Sequence, residues 1–194
     1  MVWLVADCGI LSYQITQNYK RVVTLKHSTN TAINYTTGYS QLIFKIMERG
    51  YFGIGIQNVK TEENIGTLWR SAFILGASFI FTIGNRYKKQ ASDTPQSWRH
   101  IPLYNYETFE DFYKAMPYDC RLIGIELDEK SVPIHDYKHP ERCIYLLGAE
   151  DSGLSKEAIS KCHELVILPG DICLNVSVAG SLVLYDRISK SKRS

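Results

Sequence analysis

No two of the five cysteines, Cys8, Cys120, Cys143, Cys162 and Cys173, stand in a C-x-x-C spacing. Scattered and odd in number, they argue against a cysteine-rich zinc site and predict a reducing compartment. A long apolar run is also missing: no stretch approaches the roughly 18 residues that a membrane span needs. Residues Met1 to Leu11 carry no basic leader and are interrupted by Asp7, so they do not read as a secretory signal. The expectation is a cytoplasmic protein with no membrane partner. Strong charge of either sign is absent as well. A formal net charge of +2 and a pI near 8.2 permit contact with a polyanion without pointing to one, since basic RNA-binding domains often lie above a pI of about 9.

What is present is ordinary globular composition, 45% hydrophobic and 22% charged over 194 residues. That length favours one compact domain with a sizeable core. Basic residues do cluster locally. Arg86, Lys88 and Lys89 surround Tyr87, Trp98 is followed by Arg99 and His100, and Lys190, Lys192 and Arg193 close the chain. Solvated surface is the ordinary reading of each cluster.

The first 46 residues differ from the rest. They are rich in Ser, Thr, Asn and Tyr between His27 and Tyr39 and show no sustained period. We read 1–46 as a loosely ordered extension and 47–194 as the folded domain, with Met47 as a candidate natural start. From Tyr51 onward short apolar runs alternate with helical patterns, the signature of a parallel sheet built from strand and helix units. Strands are predicted at Tyr51–Asn58, Phe79–Gly84, Arg121–Leu127, Cys143–Gly148 and Leu165–Pro169, a sheet of about five. Helices are predicted at Asn64–Leu75, Glu107–Met116, Ser155–Cys162 and Val176–Ser189. In the first of them Asn64 is placed as the starting cap and Gly76 as the stop. Gly53 and Gly55 superficially imitate a dinucleotide fingerprint, but they lie inside a strand, where glycine marks close approach of a neighbour.

Three stretches stand out. Asn64-Ile65-Gly66-Thr67-Leu68-Trp69-Arg70 puts Asn and Arg six positions apart at a helix start; alone, it fits an ordinary helix with a surface arginine. Leu146-Leu147-Gly148-Ala149-Glu150-Asp151-Ser152-Gly153-Leu154-Ser155 runs from an apolar strand into a Gly-rich acidic turn and then a new helix, beyond a strand's carboxyl end, where parallel sheets bind ligands. Pro169-Gly170-Asp171-Ile172-Cys173-Leu174-Asn175-Val176-Ser177-Val178-Ala179 leads small and polar residues into a mostly apolar helix. Each of the last two fits a plain turn or a close-packed helix entry equally well.

Together, in order and separation, the three resemble the N-x-G-[ST]-x-x-R, G-x-E-x-x-G-[LIV] and L-N-V-S-V-A motifs of the SpoU branch of the SPOUT RNA methyltransferases, the TrmH-like family. The resemblance runs from about Phe52 to Arg187. It implies an α/β fold, a Rossmann-like parallel sheet whose C-terminal stretch threads a loop to form a deep trefoil knot, an exception to the usual unknotted topology. It also implies S-adenosyl-L-methionine as cofactor, RNA as substrate and transfer of methyl to a ribose 2′-hydroxyl, with no metal. The cofactor-binding residues it implies are Ile125, Glu126 and Leu127, then Leu147 and Gly148, then Ile167, Leu168 and Pro169, and finally Cys173, Leu174, Asn175 and Val176, largely through their backbone. The catalytic residues it implies are Arg70 with Asn64, Glu150 and Asn175.

A guanidinium ionises above a pKa of about 12 and has no free lone pair, so Arg70 suits the role of a fixed cation better than that of a base. It would grip the adjoining phosphate and favour the alkoxide, while Glu150 orients Arg70 or a water and the two asparagines fix the ribose and the knot backbone. The family commonly has Ser where Cys173 stands, and a thiol is a weaker donor, so a proton path through Cys173 is not expected. RNA contacts are expected at Asn64, Arg70, Arg86, Lys88, Lys89 and Arg99, with tRNA ahead of rRNA, and the resemblance implies a homodimer through the knot region. The rival readings are a catalytically silent RNA- or cofactor-binding relative and a small-molecule or protein methyltransferase on a related knot.

Overall fold

The computed structural model describes residues 50–84, 96–170 and 173–191; the expected N-terminal extension and its boundary at Met47 lie outside the described residues. Seven strands form one sheet: β1 Tyr51–Gln57, β2 Phe79–Ile83, β3 Leu103–Tyr106, β4 Arg121–Ile125, β5 Val132–Pro133, β6 Arg142–Leu147 and β7 Glu164–Ile167. Their spatial order is β3-β2-β1-β6-β4-β7-β5, and every ladder is parallel. Among the described residues four helices accompany them, α1 Glu62–Leu75, α2 Phe109–Ala115, α3 Lys156–Lys161 and α4 Val176–Ser191, with a 3-10 turn at Ser97–Arg99.

The expected count of five strands falls short by two, β3 and β5. β3 is a half-exposed edge strand and β5 is two exposed residues, so neither carries the continuous apolar run that marks a buried parallel strand. Predicted boundaries also shift. β7 ends at Ile167 rather than Pro169, and proline has no N–H to extend a ladder. α1 starts two residues before Asn64, behind Thr61 in extended conformation (φ −100°, ψ 102°). Glu62 and Glu63 in its first turn complement the positive end of the helix dipole. Asn64 is therefore inside the helix, and its amide is free for other work.

Alternation along the strands splits the core into two layers. On one face Phe52, Ile54, Ile56, Ile123, Tyr145 and Leu147 pack against Ile65, Leu68 and Trp69 of α1 and Val176, Val183 and Leu184 of α4. On the other, Phe79, Phe81, Leu122, Ile144 and Leu146 meet Phe109 and Phe112 of α2 and Ala158 of α3. Phe81 and Phe112 stack at 4.4 Å. Burying each such side chain is worth about 1.5–3 kcal/mol. Gly53 and Gly55 lie directly beneath the rings of Phe79 and Phe81, where an added Cβ would come within 2.3 Å and 2.5 Å of ring carbon. The close approach expected of these glycines is thus by aromatic side chains of β2.

The far end of α4 is fastened by a buried polar chain. Arg187, 3% exposed, donates to the carbonyls of Pro140 (2.7 Å) and Glu141 (2.9 Å) and to the Tyr145 hydroxyl (3.2 Å), with its guanidinium 4.6 Å from the Phe52 ring centroid. Tyr145 continues to His139 (2.5 Å), and His139 to the carboxylate of Asp186 (2.8 Å), which Lys190 also reaches at 2.7 Å.

Candidate active site

Three neighbouring strands, β6, β4 and β7, end at the same height: Leu147 pairs with Ile125, and Ile125 with Val166. Beyond their carboxyl ends lies a cavity of about 300 Å³, at the low end of the range for small-molecule sites. Its wall is formed by Ile125, Glu126 and Leu127 after β4, by Leu147 through Gly153 after β6, by Ile167 to Gly170 after β7, and by Cys173, Leu174, Val176 and Ala179 at the entry to α4. Eleven of the twelve residues expected to hold a cofactor line this cavity; Asn175 does not.

Asn175 instead faces α1. Its Oδ1 accepts from the backbone N–H of Ser177 (3.0 Å) and Val178 (3.4 Å) and from the Ser177 hydroxyl (2.7 Å), which makes it the N-cap of α4. Its Nδ2 donates to Asn64 Oδ1 at 3.0 Å, and Asn64 Nδ2 in turn donates to Glu150 Oε1. One side chain from each of the three motifs thus joins a single hydrogen-bonded row at the cavity mouth.

Arg70, on the same helix as Asn64 and about 9 Å further along its axis, is exposed and makes no hydrogen bond or ion pair among the described residues. Glu150, expected to orient Arg70 or a water, accepts from Asn64 and makes no hydrogen bond or ion pair with Arg70 among the described residues. Arg99 is exposed in the 3-10 turn, which packs beside α1. Arg86, Lys88 and Lys89 lie outside the described residues.

The Glu150 turn is closed on itself by paired backbone bonds between Ala149 and Gly153, at 3.2 and 2.9 Å. Glycine is required at both corners. A Cβ on Gly148 would lie 2.0 Å from the carbonyl carbon of Gly153, and Gly153 has φ +64°. Lys60, exposed in the β1–α1 loop, pairs with Asp151 at the turn's tip and holds that carboxyl below its ordinary range. Sequence reasoning missed this pair, since the partners are 91 positions apart. Among the described residues no group of three or more His, Cys, Asp or Glu side chains is placed to hold a metal ion, and no helix is long and apolar enough to cross a membrane.

Residues 52–185 match the model of the SpoU rRNA Methylase family. The chain belongs to that family. Among curated relatives of this SpoU chain, the 23S rRNA (guanosine-2′-O-)-methyltransferase RlmB of Acinetobacter baylyi is 28% identical over 69% of the chain and 57% of its own length. The tRNA (guanosine(18)-2′-O)-methyltransferase of Escherichia coli K12 is 23% identical over 68% of the chain and 60% of its own. The SpoU chain thus spans less than two thirds of either relative. Its fold matches that of the SpoU methyltransferase AviRb from Streptomyces viridochromogenes, with a TM-score of 0.65 at 22% identity, covering 74% of this chain and 60% of that one. It also matches an AdoMet-bound rRNA methyltransferase from Sinorhizobium meliloti, with a TM-score of 0.64 at 22% identity, covering 73% and 57%.

Proposed function

We propose that this protein is an S-adenosylmethionine-dependent RNA methyltransferase that methylates a ribose 2′-hydroxyl, with tRNA as its substrate ahead of rRNA. The observation that carries the reading is the row Asn175–Asn64–Glu150 at the rim of the cavity. The cavity suits the cofactor chemically. Strand ends offer backbone donors and acceptors for an adenine edge, Ile125, Leu147, Ile167 and Val176 supply apolar walls, and Glu126, Glu150 and Asp151 give the lining a negative charge that suits a cationic ligand. The names of the relatives, one acting on 23S rRNA and one on tRNA, agree with RNA as the substrate class.

The bound cofactor supplies an electrophilic methyl group on a sulfonium. The chain has to hold the 2′-oxygen in line with it, assist loss of the proton and stabilise the negative charge that develops. Arg70, exposed and not committed to a partner among the described residues, is the cation that grips the adjoining phosphate and favours the alkoxide. Glu150 fixes Asn64, Asn64 fixes Asn175, and Asn175 holds the first turn of α4 against the site.

The same reading includes a trefoil knot around the entry to α4 and a homodimer through that region. The dimer is supported by Val178, Leu182 and Tyr185, which are 46%, 43% and 64% exposed and recur at i, i+4 and i+7 as one apolar stripe on α4. A cytoplasmic location belongs to the same reading. Incubation with methyl-labelled S-adenosylmethionine and total RNA, followed by mapping of the modified nucleotide, tests the whole. Ribonuclease-sensitive label at a 2′-O position is expected. Cofactor binding without transfer to any RNA would favour a silent relative, and label that survives ribonuclease would overturn the RNA reading.

A further inference from the structure

The turn that carries Glu150 leaves the sheet from β6, which lies between β1 and β4. Each of those flanking strands sends one side chain to the turn's exit. Glu126, just past β4, accepts from the backbone N–H of Leu154 through Oε2 at 2.6 Å and from that of Leu127 through Oε1 at 3.0 Å. Gln57, the last residue of β1 and 4% exposed, accepts from the backbone N–H of Ser155 through Oε1 at 3.0 Å. It donates from Nε2 to the Ser155 hydroxyl at 3.1 Å. That hydroxyl also accepts from Ala158 N–H (3.1 Å), capping α3. Two consecutive backbone donors, Leu154 and Ser155, are thus received from opposite sides by two strands.

We infer that Gln57 and Glu126 are positioning residues that set the tilt of the Glu150 turn, an inference that rests on the methyltransferase reading above for its kinetic consequences. The geometry divides their effects. Glu126 lines the cavity and abuts Gly153, whose added Cβ would lie 2.6 Å from its Oε2. Its loss therefore loosens the cavity wall itself. Gln57 lines no part of that cavity. Its loss lets Glu150 drift from Asn64 while the wall at β4 stays in place. Neither side chain touches the reacting atoms; both act through the backbone of the turn.

Gln57→Leu removes both bonds to Ser155 at similar volume, and Glu126→Gln leaves one acceptor oxygen for the two N–H groups of Leu154 and Leu127, so that an N–H donor faces one of them. Gln57→Glu keeps an acceptor for Ser155 and serves as the conservative control. In the ligand-free protein, amide exchange at Leu154 and Ser155, followed by NMR against the amides of β2, should quicken by about tenfold or more in the first two variants, as loss of one buried hydrogen bond implies. With cofactor and RNA, Gln57→Leu should lower kcat by about tenfold while the S-adenosylmethionine Kd from calorimetry stays within about twofold. Glu126→Gln should raise that Kd by about tenfold, and Gln57→Glu should recover part of kcat. Exchange that quickens equally at β2, or a lowered Tm with kcat and Kd unmoved, would overturn the inference and leave both residues as fold supports. If the wild-type protein neither bound cofactor nor labelled RNA, the functional reading would fall, while the exchange measurement would still decide the clamp.

Discussion

Helix α4 carries a polar cluster at each end, and the two are built on opposite terms. At its start Asn175, Asn64 and Glu150 form a row open to solvent, with Asn175 exposed and the other two half-buried. At its far end Arg187, Tyr145, His139 and Asp186 form a chain beneath the surface, the His139 side chain only 6% exposed, and the guanidinium is held by carbonyls, a hydroxyl and a ring. The buried cluster turns its hydrogen bonds inward to the protein, whereas Arg70, on the helix that carries Asn64, has no hydrogen bond or ion pair among the described residues. Polar residues alone therefore do not mark a site; accessible polar residues beside a cavity do.

The sharpest way to break this contrast is at the buried end. Arg187→Ala strips donors from two carbonyls and a hydroxyl and should destabilise the fold by about 3–5 kcal/mol, measured by urea denaturation; a loss below about 1 kcal/mol would mean the buried chain is incidental. At the open end the effect should appear in rate and not in stability. Arg70→Ala should lower turnover by about a hundredfold to a thousandfold with unfolding free energy changed by less than about 0.5 kcal/mol, and full activity would remove Arg70 from the site. Asn175→Ala should do both, costing about 1 kcal/mol as the lost cap of α4 and lowering kcat, so a pure stability effect would separate the cap from the chemistry.

Acidity discriminates the clusters too. Burial pushes His139 below its ordinary value of 6.5, so the folded state favours the neutral ring that accepts from Tyr145. The unfolded chain then binds the proton more readily, and stability present above pH 6.5 is lost as pH falls below it. Burial raises Cys162 to about 12 from 9.0 and also raises Cys143, so the unfolded thiols ionise first and stability falls again above pH 9.0. Melting temperatures across pH 5–10 should show both flanks, and His139→Gln should flatten only the acid one. The smallest effect is expected for Lys60→Ala, since the Lys60–Asp151 pair is exposed and screened by solvent; its melting temperature should stay close to that of the wild type.

How much of this was legible in the chain depends on the range of the interaction. The central strands were readable because buried parallel strands are apolar throughout, as in Cys143 to Leu147. The edges β3 and β5 were not, since exposure lets polar residues in. The wall of the cavity was legible through the resemblance of three motifs, each a local run of sequence. Gln57, Lys60 and the reach of Asn64 were not, because their partners lie 98, 91 and 86 positions away and no local period records such a meeting. Arg187 read as a member of a helical pattern; only the fold reveals the carbonyls of 140 and 141 around it.

The cavity floor is set by three adjacent strands that stop within one residue of each other, with Leu147, Ile125 and Val166 level across the sheet. A strand advances by about 3.3 Å per residue, so inserting or deleting a single residue in β4, β6 or β7 would displace one wall by more than a bond to a ligand can follow. Exchanging one aliphatic side chain for another at Ile125 or Ile167 would leave the main chain where it was. The floor therefore tolerates a change of side chain and not a change of segment length.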